Sequence, residues 1–247
     1  MLTTGSRVRK VGVAASGQTD TAAAVHAAYD GAKPSPSQIA NPLDKITARI
    51  RDCRICRDVR GPRRLPHAPR PVFRVSATAR LLVASQAPGI RVHETGLPFN
   101  DPSGDRLRQW MSIDRETFYD ELRVAIVPMG FCFPGYNDFK ADLPPRHECR
   151  ATWHDELFVH LRGIETILAI GRYAQDYHFA RLGRAVPKRA GVDEIVRRWR
   201  EFEGERPRVF ALPHPSWRNS GWLKRNPWFE AQVLPAVRAE VARLTAG

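Results

Sequence analysis

Four short apolar segments alternate with helix-like segments through most of the chain. The apolar segments are typical of β-strands and run from Arg80 to Ser85, from Arg123 to Met129, from Glu165 to Ile170 and from Val209 to Leu212. Parallel strands require long crossover connections, and helical segments between strands supply them. A parallel sheet is covered by helices on both faces. The alternation therefore predicts an α/β fold with a mainly parallel sheet.

The helices predicted between and around these strands rest on apolar periodicity and on capping residues. Asn41 followed by Pro42 predicts a helix start, and Leu43, Ile46, Ile50 and Cys53 recur at helical spacing. Ser103 is a candidate cap for a helix that contains Leu107, Trp110 and Met111. The remaining helices are predicted at 117–122, 145–161, 173–182 and 192–202, and from Asn226-Pro227 towards residue 244.

The charge of the chain points to a polyanionic partner. The 247 residues contain 39 Lys and Arg against 26 Asp and Glu, which gives a formal net charge of +13. Such an excess favours nucleic acid first, while solubility alone is the plainer explanation. No segment is long and apolar enough to span a bilayer, and no secretory signal is recognisable. Residues 1–40 lack periodicity and are predicted to be a disordered basic leader, followed by one domain over 41–247.

Two polar loops follow strands at the predicted carboxyl edge of the sheet. Gln86, Ala87, Pro88 and Gly89 come after the first strand, and Pro213 to Asn219 come after the last. Ligands of open α/β sheets bind outside the carboxyl ends of the strands, so the two loops can face one pocket. His214, Ser216, Arg218 and Asn219 form a dense polar cluster in the second loop. Phe99 is either a stacking platform for a planar ring or an ordinary core residue.

Four cysteines suggest a metal centre. Cys53 and Cys56 form a C-x-x-C pair, whereas Cys132 and Cys149 are widely separated. Disulfides are not expected in a basic chain without an export signal. Four thiolates suit tetrahedral zinc or a [4Fe–4S] cluster, and the spacing alone leaves an iron–sulfur cluster, zinc and no metal open.

Together these motifs resemble the uracil-DNA glycosylase superfamily. Gln86 to Gly89, with Gly96-x-Pro98-Phe99 and Ser103-Gly104 after it, resembles the first motif, and His214-Pro215-Ser216 resembles the second. The order and spacing of the four cysteines are similar to the iron–sulfur class called family 4. The His-Pro-Ser-x-Arg-Asn form is closer to the single-strand-selective monofunctional class. The resemblance covers residues 50 to 240 and implies a three-layer α/β/α fold with a central four-stranded parallel sheet.

The resemblance also implies roles for individual residues. Phe99 would stack on a base flipped out of DNA, and His214 would donate a hydrogen bond to the base oxygen that gains charge as the glycosidic bond breaks. Ser216 would contact a flanking phosphate, and Arg218 would fill the space vacated in the duplex, within a loop that includes Asn219. The loop from Gln86 through Ala87 and Pro88 to Gly89 would supply backbone contacts and hold the attacking water. Cys53, Cys56, Cys132 and Cys149 would hold a [4Fe–4S] cluster, with zinc as the alternative.

The chain departs from the family pattern in two places. The family commonly has a carboxylate or Asn in the first motif to orient water, where this chain has Gln86 and Ala87. Glu94 and Asp101 are nearby alternatives, of which Glu94 is preferred here. The family's base-reading Asn, four positions before the third cysteine, is Pro128, so the substrate base is open between uracil, hypoxanthine, xanthine and other damaged bases.

The sequence therefore predicts a monofunctional DNA glycosylase acting on DNA that contains uracil or another damaged base. No lysine lies at the motifs, so strand cleavage is not expected. The alternatives are a non-catalytic protein that binds damaged DNA or abasic sites, and a zinc-stabilised nucleotide-binding protein. The expected location is the cytoplasm, in association with the nucleoid, with no obligate protein partner and no membrane.

Overall fold

A single sheet of four parallel strands forms the centre of the computed structural model, which describes residues 41–59, 61, 64–184 and 190–246. The strands are β1 (Leu81–Ser85), β2 (Val124–Pro128), β3 (Thr166–Ile170) and β4 (Arg208–Leu212), in the order β2-β1-β3-β4. The register places Ser85 beside Pro128, and Ile170 beside Leu212. All four strands therefore end at one edge of the sheet.

Ten α-helices surround this sheet in the described part of the chain. They are α1 (Pro42–Arg51), α2 (Ile55–Asp58), α3 (Ile90–Thr95), α4 (Pro102–Met111), α5 (Arg115–Tyr119), α6 (His147–Val159), α7 (Arg172–Arg181), α8 (Val192–Arg197), α9 (Ser220–Arg225) and α10 (Leu234–Thr245). Short 3₁₀ segments follow α8 (Arg198–Phe202) and precede α9 (Trp217–Asn219), and a π-helical turn (Phe229–Val233) leads into α10.

The helices cover both faces of the sheet, which confirms the predicted three-layer α/β/α class. Helix α7 packs on β1 and β3, α8 on β4, and α10 on β1 and α4. Every residue of β1, β2 and β3 is buried, as expected for strands with both faces covered. One continuous apolar core results, so the strand ends are held on a rigid base.

Several predicted elements differ from the observed ones at their ends. Asp101, rather than Ser103, caps α4, because its carboxylate accepts a hydrogen bond from Gly104 N at 2.8 Å. The capping prediction for Asn41 is confirmed by its side-chain bond to Leu43 N, but the helix ends at Arg51, before Cys53. The predicted helix over 192–202 changes to 3₁₀ geometry at Arg198.

Three helices were absent from the sequence-based prediction, namely α2 (Ile55–Asp58) and the two helices α3 and α9 beside the polar loops. Helix α3 follows Gly89 directly, and α9 follows the polar loop after β4. Both are six residues long and too short to show a clear apolar periodicity. Among the described residues, no helix combines the length and the hydropathy needed to cross a membrane. The predicted leader over residues 1–40 lies outside the described part of the chain.

Two buried histidines predict a loss of stability in acid. Burial lowers the pKa of His154 to about 4 and the pKa of His178 well below its ordinary value of 6.5. Below pH 6.5 these two histidines therefore bind more protons in the unfolded chain than in the folded protein. The contribution of the two neutral histidines to the free energy of unfolding is fully present above that pH. It is lost as the pH drops to about 4, and for His154 alone the loss is about 3 kcal/mol.

Replacing His178 with leucine tests this pH dependence. His178 packs against the rings of Phe158 and Tyr177, and neither of its nitrogens has a hydrogen-bond partner among the described residues. The His178→Leu protein should lose less stability than the wild type between pH 7 and pH 4, as measured by urea unfolding at a series of pH values. Equal losses in the two proteins would show that protonation of His178 does not contribute.

Candidate active site

A cavity of about 570 Å³ opens at the edge where the strands end. This volume lies within the range of about 300–1,000 Å³ that small-molecule sites occupy. The loops after β1 and β4 form two of its walls, and β2 contributes Pro128. The prediction that these two loops face one pocket is therefore confirmed. Its position agrees with the rule that open α/β sheets bind ligands outside the carboxyl ends of their strands.

Most of the predicted site residues line this one cavity. The residues placed there are Gln86, Ala87, Pro88, Gly89, Phe99, His214, Ser216, Arg218 and Asn219. Glu94, the preferred water-activating carboxylate, is not among the residues that line it. Glu94 is exposed on α3, and its backbone carbonyl accepts a hydrogen bond from the Arg70 guanidinium at 2.7 Å. The geometry therefore speaks against Glu94 as the group that activates water.

The loop that carries His214 is fixed by its own side chains and by α4. Asn219 Nδ2 donates to the His214 carbonyl at 2.7 Å, and Arg106 Nη1 donates to the Ser216 carbonyl at 2.9 Å. The imidazole has no hydrogen-bond partner among the described residues and lines the cavity. Burial lowers the pKa of His214, against a smaller opposing effect of Asp101. The ring is therefore neutral at pH 7 and can donate one N–H bond.

Phe99 is both a core residue and a wall of the cavity. Only 9% of its surface is exposed, and its ring meets Phe118 edge-on at 6.0 Å between centroids. Its backbone has φ 55°, a left-handed conformation that is unfavourable for a bulky side chain. Such strain persists only where the surroundings enforce it, and it is frequent at binding sites. The two interpretations of Phe99 from sequence are thus compatible.

The side-chain amide of Gln86 lies at the end of β3, the strand that pairs with β1. A Cβ atom placed at Gly171 would lie 2.5 Å from Gln86 Nε2, so the glycine allows this close approach. The backbone carbonyl of Gln86 accepts a hydrogen bond from Gly130 N at 2.8 Å. Gln86 is therefore held firmly while it lines the cavity, and its neutral amide can position a water molecule but is a poor base.

Two carboxylates line the cavity, and one of them was not predicted. Asp101 is a candidate from the sequence for orienting water, but its carboxylate caps α4. Asp142, in the loop between β2 and α6, was not considered. Burial raises the pKa of Asp142, Arg218 opposes this effect, and Asp101 adds to it. Because this loop follows a strand at its carboxyl end, its position could have suggested Asp142.

The four cysteines line a second, much smaller cavity of about 20 Å³. All four are free thiols. Trp153 Nε1 donates to Cys53 Sγ and Phe131 N donates to Cys149 Sγ, both at 3.3 Å. The sequence predicts that Cys53, Cys56, Cys132 and Cys149 come together, and the structure places all four around one cavity.

The thiols are suitable metal ligands, but their arrangement does not form a site for a single metal ion. Among the described residues, no group of three or more His, Cys, Asp or Glu side chains is arranged to hold a metal ion. Burial raises the pKa of Cys132 to about 12 and raises that of Cys149 and Cys56. These three thiols are thus protonated at neutral pH, and a bound metal would displace their protons. The donor set fits a thiolate-bound centre, whereas coordination of a single metal ion would require the side chains to move.

The fold and the main cavity define an α/β protein with a polar and aromatic pocket at the carboxyl edge of its sheet. The family model described as "Uracil DNA glycosylase superfamily" matches residues 73–238, which is more than half of the chain. The chain belongs to the uracil DNA glycosylase superfamily. This membership confirms the resemblance at the level of the superfamily and indicates a hydrolase of the DNA glycosylase type.

Proposed function

We propose that this protein is a monofunctional DNA glycosylase that hydrolyses the N-glycosidic bond of uracil or a related deaminated base in DNA. The observation that carries the proposal is the meeting of His214, Phe99 and the loop from Gln86 to Gly89 around one cavity of about 570 Å³. A neutral hydrogen-bond donor and an aromatic wall in one pocket suit a planar base with a carbonyl oxygen. A DNA substrate would place the protein in the cytoplasm at the nucleoid.

The chemistry follows from where charge develops. As the bond between C1′ and the base nitrogen breaks, its electron pair moves onto the base and positive charge develops on the sugar. An N–H of neutral His214, aimed at the base oxygen, stabilises that negative charge in the transition state more than in the ground state. Water then adds to C1′ and loses one proton. Among the described residues that line the cavity none is a lysine, which supports hydrolysis without a Schiff base or strand cleavage.

Contacts with DNA would come from the surface around the cavity. The base must leave the helical stack, which costs a few kcal/mol, and groups that replace the lost stacking offset that cost. Arg218 and Trp217 lie side by side at the cavity, with Trp217 75% exposed and its ring 5.8 Å from the guanidinium carbon. An exposed tryptophan beside an arginine is well suited to fill the gap left by an extruded base. The net charge of +13 favours the phosphate backbone.

A panel of labelled oligonucleotides tests the proposal. Each oligonucleotide carries one uracil, hypoxanthine or xanthine and is offered as a single strand and as a duplex. The expected result is an abasic product, detected by cleavage in alkali, with no cleavage before that treatment. No abasic product from any substrate, at enzyme in excess over DNA, would overturn the proposal.

The four cysteines are proposed to bind a [4Fe–4S] cluster, with zinc as the alternative. Support comes from four free thiols around one cavity and from the two N–H donors directed at Cys53 and Cys149. Hydrogen bonds to sulfur are one of the features that tune such clusters. When bound, the cluster would join the segment after α1 to the end of β2 and to α6, which is a structural role.

Anaerobic purification tests the cluster directly. We expect brown protein with broad visible absorption and about four iron and four sulfide per chain, because a cube of this kind takes four cysteine ligands. Cys149→Ser should lose the colour and lower the unfolding temperature. Colourless wild-type protein with one zinc per chain would support the alternative, and protein free of both metals would refute a metal centre.

A second function, binding of damaged DNA without catalysis, is supported by one observation. Gln86 and Ala87 have uncharged side chains at the position where the family commonly has a carboxylate or Asn. Without a group that accepts a proton from water, the same pocket would bind a damaged base or an abasic site without turnover. Tight binding that weakens with salt, with no product even at high protein concentration, would favour this function.

A further inference from the structure

We propose that Asp142 is the carboxylate that orients the attacking water and accepts its proton. This inference rests on the proposed glycosylase function. It assigns a role to a residue outside both sequence motifs, in the loop between β2 and α6. In the step concerned, the water oxygen forms a bond to C1′, the glycosidic electron pair remains on the base, and one water proton passes to the Asp142 carboxylate.

The first argument is position. Asp142 lines the main cavity together with Gln86 and His214, and the same three residues line an adjoining pocket of about 170 Å³. Its Oδ2 would lie 3.6 Å from a Cβ atom placed at Gly89, so the carboxylate is next to the first-motif loop. The acid thus stands beside the loop expected to hold water, although it comes from a distant part of the sequence.

The second argument is that the chain holds Asp142 in place by its backbone and leaves its carboxylate free. Asp142 forms an antiparallel bridge with Tyr136, and Leu143 N donates to the Gly135 carbonyl at 2.9 Å. Asn137 Oδ1 accepts bonds from Phe139 N and Ala141 N, which closes the turn. No hydrogen bond or ion pair engages the Asp142 carboxylate among the described residues, so it remains available to a water molecule.

The third argument is the elimination of the other acids near the cavity. Asp101 Oδ1 accepts the Gly104 N–H at the start of α4, which gives this carboxylate a structural task. Glu94 is exposed and does not line the cavity. Asp142 is the remaining carboxylate among the described residues that line it. The groups that act on its charge are Arg218, which favours the ionised form, and Asp101, which opposes it.

The test compares Asp142→Asn with Asp138→Asn in single-turnover base release. Asp138 lies in the same loop, is exposed and does not line the cavity, so it is a matched control. Asp142→Asn should slow release about 10²–10⁴-fold, the usual contribution of general base catalysis. Asp138→Asn should release the base at the wild-type rate. Thermal melting checks that both variants fold, and binding to abasic DNA should be retained in Asp142→Asn.

A pH profile separates a proton acceptor from a structural residue. A protonated carboxyl cannot accept a proton, so the wild-type rate should fall in acid through the pKa of Asp142, which burial raises. Asp142→Asn should lack this acid limb. A wild-type rate or an unchanged acid limb in a folded Asp142→Asn protein would overturn the inference. Asp101→Asn is a further check, because asparagine can still cap α4. Loss of the acid limb in this variant alone would also overturn the inference. Failure of the wild type on every base would instead refute the proposed function itself.

Discussion

His214→Ala should reduce the rate of base release about 10²–10³-fold, the usual effect of removing one donor to a developing oxyanion. The ring has no hydrogen-bond partner among the described residues, and Asn219 binds the backbone carbonyl of His214 rather than its side chain. The fold should therefore survive the substitution, with little change in unfolding temperature. Single-turnover release of uracil from DNA measures the effect without interference from slow product release.

His160→Ala is the matched control for this variant. His160 follows α6 directly and does not line the cavity, so its loss should leave the rate unchanged. If His214→Ala were folded and as fast as the wild type, His214 would not be the donor. The assignment of the second motif would then be wrong, even though the family membership would stand.

Gly104→Ala should destabilise the protein and impair the site. A Cβ atom at Gly104 would lie 1.7 Å from the carbonyl oxygen of Phe99, which is backbone and cannot turn aside. Either α4 or the Phe99 segment must shift. Overpacking of this kind usually costs about 1–3 kcal/mol. Phe99 already has an unfavourable backbone conformation, so the wall of the cavity should move with it. Urea unfolding and the rate of base release measure the two effects.

Gly204→Ala is a matched control for this glycine. No atom lies within 4 Å of a Cβ placed at Gly204, so its stability and activity should be those of the wild type. Wild-type stability and activity in Gly104→Ala would show that the turn from Phe99 to Gly104 can relax freely. The strained geometry of Phe99 would then have no part in forming the cavity.

The fold was predictable from sequence because its strands are short, buried and separated by helices. The runs at 81–85 and 166–170 are mainly apolar and each follows a charged residue, so they need no tertiary information to be recognised. The helix ends were less predictable, since Asp101 and Ser103 are both good capping residues. Helices α3 and α9 are short, and their formation depends on packing next to the cavity rather than on local periodicity.

Some residues of the candidate site were likewise predictable from the sequence, and others were not. The loops containing Gln86 and His214 follow strands directly, so the rule for carboxyl ends placed them together. Asp142 lies 14 residues beyond the end of β2, and a turn that includes the bridge to Tyr136 returns it to the cavity. Glu94 is close to the first motif in sequence, but α3 carries it to the surface. Proximity along the chain was therefore misleading for the acid, whereas strand topology was a reliable guide.

The most direct measurement is a crystal structure with DNA that contains a 2′-fluorinated uracil nucleotide, whose glycosidic bond resists cleavage. We expect the uracil outside the helical stack, with its ring against Phe99, a carbonyl oxygen facing His214 and C1′ on the side of Asp142. A bound duplex with the uracil still stacked, or a base held away from Phe99 and His214, would contradict the account.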